Sequence, residues 1–246
     1  MKLEGAERYS SAIQQLQQDI LTSQAAALDA VAAQMAQTIR AEQSIFLFGT
    51  GHSHRLAEEG HFRAGSLAAF VPILLSSIML HEQAQLSGKI ERTGGIAAPI
   101  LDRYGPQAGD MLFVFSNSGV NMMPVEMALA AKARGMVVAS VSSFAYAEVA
   151  PLSAVGKRLH EVADFAIDNR IVPGDALVTI EGLPWKVGPA STIAGSFILN
   201  CLVAEVAYRL CEDNQSVPLY ASLNMNGAAE HNQTMLKHWG TRNPHL

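Results

Sequence analysis

Short segments of this chain are apolar almost without a break, and helical stretches lie between them. Residues 44–48, 70–75, 110–115, 136–141 and 164–167 read as strands, with 176–180 as a further short one. Residues 52–65, 124–134 and 189–210 read as helices. A strand that is apolar on both faces has no side to offer water. It belongs in a parallel sheet covered by helices on both faces, which makes the chain α/β.

Before the first strand, residues 5–41 repeat Ile13, Leu16, Ile20, Leu28, Val31, Met35 and Ile39 at helical spacing. Thr22 and Ser23 mark a break between two helices, where either hydroxyl could cap the second. No repeat or long linker divides the 246 residues, so one domain is expected over 1–246. It comprises N-terminal helices (1–41), a sheet core (42–215) and a C-terminal tail (216–246). Charged residues make up 16% of the chain and apolar ones 49%, enough for a large core.

The formal net charge is -5 and no basic run occurs, which argues against a nucleic-acid partner. A small anion stays open, because backbone N–H groups can hold one. Residues 1–8 are charged and do not read as a signal peptide. The apolar run 193–210 is interrupted by Asn200, Glu205 and Arg209 and reads as a core helix, with no membrane partner. A soluble, cytoplasmic protein is expected. Cys201 and Cys211 lie in that helix about 15 Å apart along its axis, too far to pair, and read as buried thiols.

Two strand-to-helix turns carry the chemistry. In open parallel sheets, ligands sit beyond the carboxyl ends of the strands. Ser116-Asn117-Ser118-Gly119-Val120-Asn121 follows one apolar strand and precedes a helix. An anion there would meet backbone amides and the positive end of the helix. The serines would donate hydroxyl protons, and Gly119 would let the backbone come close. The same residues also suit a plain helix N-cap. Gly49-Thr50-Gly51-His52-Ser53-His54 has the same setting. It lacks the Gly-Lys-Ser/Thr of a Walker loop and the third glycine of a dinucleotide fingerprint, which leaves Ser53 as its candidate ligand. Ser191 and Thr192, after Gly188-Pro189, open the long helix and serve as caps or face the ligand.

The run Phe113-Val114-Phe115-Ser116-Asn117-Ser118-Gly119, supported by Phe48-Gly49-Thr50-Gly51-His52-Ser53, resembles the sugar isomerase (SIS) domain family over roughly residues 40–215. Segments 52–65 and 224–232 look closest to its stand-alone bacterial members, which are described as phosphosugar isomerases or phosphosugar-binding proteins. The resemblance implies a three-layer α-β-α sandwich with a five-stranded parallel sheet, here with an N-terminal helical extension. It also implies assembly as a homodimer or homotetramer, a sugar phosphate as ligand, and no metal or other cofactor. Ser116, Asn117, Ser118 and Gly119 would hold the phosphate, with Gly51 and Ser53 contributing from the first turn. Many members carry Thr where this chain has Asn121, whose amide can still donate.

Isomerisation of an aldose to a ketose needs a base for the C2 proton and an acid for ring opening. The expected candidates are Glu59, Glu82 and His231. A Glu on the helix after the first turn serves elsewhere in the family, which favours Glu59, narrowly, over Glu82. Glu82 resembles by position the base in the isomerase domain of glucosamine-6-phosphate synthase. His231 lies in an Asn- and Gly-rich tail that could reach into a site, and Lys186 could neutralise an oxyanion. His52 and His54 fall short of a zinc spacing. A non-catalytic phosphosugar sensor, or an etherase or deaminase of an amino sugar phosphate, would need the same phosphate turns.

Overall fold

A computed structural model describes residues 2–246. Two long helices come first, α1 (Glu4–Ser23) and α2 (Ala25–Arg40). The break falls where expected, for a different reason. The hydroxyls of Thr22 and Ser23 donate back to the carbonyls of Gln18 and Asp19, so they close α1, while the N-cap of α2 is Gln24 with no side-chain cap.

The sheet strands are β1 (Ile45–Gly49), β2 (Phe70–Pro72), β3 (Met111–Phe115), β4 (Val137–Ser142) and β5 (Phe165–Asp168). They are all parallel, in the order β2-β1-β3-β4-β5. The intervening helices are α3 (His54–Gly60), α4 (Leu80–Ile90), α5 (Ala97–Asp102), α6 (Met122–Ala133), α7 (Phe144–Val149) and α8 (Leu159–Val162). After β5 comes an antiparallel hairpin, β6 (Ala176–Val178) with β7 (Val187–Pro189), then α9 (Ser191–Glu212) and α10 (Ala228–Trp239).

The unbroken apolar strands follow from two separate cores. Ile45, Leu47, Met111, Phe113, Phe115, Ala139 and Val141 pack with α1, α2, α3 and α9. The alternate residues Phe46, Phe48, Leu112, Val114 and Val138 pack with α5, α6 and α8. Because side chains alternate along a strand, a one-residue slip would exchange the two cores. The result is the three-layer α/β sandwich with its helical N-terminus.

Helix α6 ends at Gly135 (φ +74), as expected of a C′ glycine: Met136 N bonds to Ala131 O and Gly135 N to Lys132 O. The helix expected over 52–65 is shorter, because a 3₁₀ turn over Gly51–Ser53 precedes α3, which stops at Gly60. The expected thiol burial is only partial. Cys201 is half-buried, with its pKa raised by burial, and Cys211 is exposed; both are free.

The tail was expected as a loop and is instead a strap ending in a helix. Its first residues pair alongside residues 65–68, and Asn232 holds Ala221 through both backbone groups, each at 2.8 Å. Arg242 reaches the buried Asp110 at the amino end of β3.

Candidate functional site

The turns after β1 and β3 open into one cleft of about 930 Å³ at the carboxyl edge of the sheet. That is within the range of small-molecule sites, roughly 300–1,000 Å³. Its floor is residues 50–53, 116–118 and 120–122, and one wall is α4 with Glu91 and Arg92. A rim runs from Tyr146 to Ala154, and Asp175 and Ser191 complete the lining.

The turn after β3 is built for an anion. Gly119 has φ +65, and an added Cβ would stand 3.3 Å from that of Ser142, so the turn lies tight on β4. The Ser116 hydroxyl accepts the Gly119 amide at 3.3 Å, and Asn117 is fixed from behind by the buried Asn169 at 3.0 Å. Among the described residues, the amides of Asn117, Ser118, Val120 and Asn121 donate to no protein acceptor. The N-cap of α6 is Asn121, without a side-chain cap bond. Neither serine caps the helix, so its positive end is left facing the cleft.

The first turn is equally constrained. Any Cβ on Gly49 would overlap the Ser53 carbonyl at 2.4 Å, and Ser53 N bonds to Thr50 O. His54 is buried and held by the Gly51 carbonyl and by Glu58, while His52 is exposed on the cleft.

Gly51, Ser53, Ser116, Asn117, Ser118, Asn121 and Ser191 all line the cleft, with Gly119 in the turn just behind. Ser191, however, spends its hydroxyl on Asp175 at 2.9 Å. The same carboxylate accepts the amides of Ala190 (3.2 Å) and Ser191 (2.7 Å). Asp175 thus occupies the amino end of α9 in the role of an anion, which leaves α6 as the helix that faces the cleft uncompensated.

The three residues expected to move protons lie elsewhere. Glu59 is ion-paired to Arg63 at 2.9 Å and accepts from Asn200 of α9 at 3.2 Å, on a surface away from the cleft. Glu82 is exposed at the start of α4, just before the extended residue Gln83. His231 is exposed on α10 against the Leu219 carbonyl, and Lys186 is exposed between β6 and β7.

Of the two carboxylates that line the cleft, Glu91 and Asp175, Glu91 is the one beside both turns, and sequence reasoning missed it. It accepts from the Thr50 hydroxyl (2.8 Å), the Asn121 side-chain amide (3.0 Å) and Arg92 (2.8 Å). Its main-chain carbonyl also accepts Met123 N at 3.0 Å. One residue therefore ties both turns together and places a carboxylate between them. It had no signal of its own, lying about 40 residues from the first turn and 25 from the second, in a stretch where neither strand nor helix was expected.

A UPF0309 protein of Brucella canis is 43% identical over 235 residues, covering 93% of this chain and 96% of that one. One from Brucella abortus is 42% identical over the same coverage. The phosphoheptose isomerase of Francisella tularensis shares the fold, with a TM-score of 0.56 at 16% identity over 85% of this chain and 99% of that one. The corresponding enzyme of Neisseria gonorrhoeae has a TM-score of 0.55 at 17% identity, over 86% and 98%. A SIS domain profile matches residues 8–143, from α1 to the end of β4, and takes in both turns. With its turns, its sheet order and this match in agreement, the chain belongs to the SIS domain family.

Proposed function

We propose that the cleft binds a phosphorylated sugar and isomerises it between aldose and ketose by proton transfer through an enediolate. One observation carries the binding: four backbone amides without protein acceptors, at the start of α6, on the floor of a sugar-sized cleft. In this reading Ser116, Ser118 and the backbone amides of Asn117, Ser118, Val120 and Asn121 receive the phosphate, and Ser53 meets the ligand from the first turn. The structural neighbours that are phosphoheptose isomerases support the same ligand class.

Glu91 takes the C2 proton and returns it to C1. Arg92 and His52 stand beside it on the cleft, to polarise the carbonyl and to protonate the ring oxygen. The chain acts as a single domain in the cytoplasm, as a homodimer. The exposed apolar side chains Ile180, Leu183, Trp185 and Val187 of the hairpin and Ile193 of α9 support self-association.

One observation favours a binding-only sensor: Glu59, Glu82 and His231 all lie outside the cleft. A thermal-shift panel of sugar phosphates finds the ligand, since a tight binder raises apparent stability by mass action. NMR in D₂O then follows exchange at C2. Isomerisation through Glu91 predicts deuterium incorporation that Glu91→Gln abolishes and Glu59→Gln leaves intact. Tight binding with no exchange refutes the enzyme and leaves the sensor.

A further inference from the structure

We propose that the sugar phosphate carries a free amine, and that Asp175 receives it. This rests on the phosphosugar reading above and adds the substituent. The lining side chains bear two carboxylates, Glu91 and Asp175, and one guanidinium, Arg92, beside the imidazole of His52. Arg92 is committed to Glu91 at 2.8 Å. The cleft is thus net negative before any ligand enters, and a phosphate monoester adds nearly two more negative charges. A neutral sugar leaves that excess uncompensated, whereas an ammonium group offsets part of it.

Asp175 is the group placed to receive the ammonium. It takes part in no ion pair among the described residues. Its carboxylate is held still by three donors: the amides of Ala190 and Ser191 on one oxygen and the Ser191 hydroxyl on the other. A carboxylate offers about four lone-pair sites, so one remains on the second oxygen. The field of this charge is felt nearby: burial first, and Asp175 second, hold the Tyr9 phenol above its usual range. Phosphate and amine are kept apart, because the anion site is at α6 while α9 already has its own carboxylate.

Calorimetry at pH 7 tests this with the 6-phosphates of glucosamine, galactosamine and mannosamine, each against its parent hexose 6-phosphate and its N-acetyl derivative. The expectation is that at least one amine binds about tenfold or more tightly than both its partners, as a charge-assisted bond would give. Asp175→Asn, or Asp175→Ser if the first does not fold, should bring that ratio close to one. Equal affinities within every set overturn the proposal. So does a variant that weakens all ligands alike and keeps the ratio, which is the behaviour of a helix cap alone. If no sugar phosphate binds the wild-type protein, the phosphosugar reading itself has failed.

Discussion

At the scale of single residues, Glu91 and Gly119 decide whether the cleft exists. Glu91 is only 15% exposed, and it holds Thr50 on one side and Asn121 on the other. Replacing it with Gln puts an NH2 where one of the two oxygens accepted, so either Thr50 or the pair Asn121 and Arg92 loses its acceptor. Besides losing proton exchange, the variant is expected to be destabilised by about 1–2 kcal/mol, read from urea unfolding. Gly119→Ala meets two obstacles, a left-handed φ and the Ser142 side chain behind it. Strain of about 1–2 kcal/mol should appear as lost stability together with weakened sugar-phosphate binding by calorimetry. The two residues differ in legibility. Gly119 sits in a seven-residue pattern whose chemistry is local and can be read directly. Glu91 acquires its role only when α4 folds back over the turn after β1, and nothing in its neighbours foretells that.

At the scale of elements, the strands were legible because each is apolar on two faces, and their ends were located to within a few residues. The helices over 80–102 were not. Gly94-Gly95 and Gly105-Pro106 read as loop punctuation, yet two helices, α4 and α5, stand between the second strand and the third. The C-terminal strap was missed for a related reason. Its polar residues are used in tertiary bonds such as Asn232 to Ala221, which have no periodic signature.

The strap also carries a pH dependence. His245 packs against Tyr104 and 6.2 Å from His61. Desolvation first, then the charge of its partner, lowers the pKa of His61; desolvation and then Arg103 lower that of His245. Both are bases held neutral, so below their ordinary value of 6.5 the unfolded chain takes up protons that the folded chain refuses. Stability should therefore fall as pH drops from neutral through that value, with amide exchange of residues 243–246 rising first. A His61→Gln/His245→Gln variant should flatten the profile, and an unaltered profile would contradict this assignment. Arg242 anchors the same strap to Asp110, whose carboxylate is fully buried. Arg242→Met should cost about 3 kcal/mol in urea unfolding, because it strands that charge.

At the scale of the whole molecule, the sheet brings together turns that are 67 residues apart in sequence, counting from Gly49 to Ser116. Because β1 and β3 are neighbours in register, their turns open side by side, and α4 and α6 close over them from one layer while α9 meets them from the other. Fold class was legible at this scale, since alternation of buried strands with helices admits few arrangements. The surface outside the cleft was not: Trp185 is 82% exposed at the end of a hairpin read only as a short extra strand. If that face joins two copies, Trp185→Ser should shift sedimentation from dimer toward monomer, and an unchanged sedimentation coefficient would move the interface elsewhere.

The central claim is that the turn after β3 grips a phosphate, and calorimetry on the Ser116→Ala/Ser118→Ala protein tests it most directly. With the tightest sugar phosphate of the panel, the loss of two charge-assisted hydrogen bonds should weaken binding by about 2–4 kcal/mol while the protein stays folded. An affinity equal to that of the unaltered protein would contradict the claim.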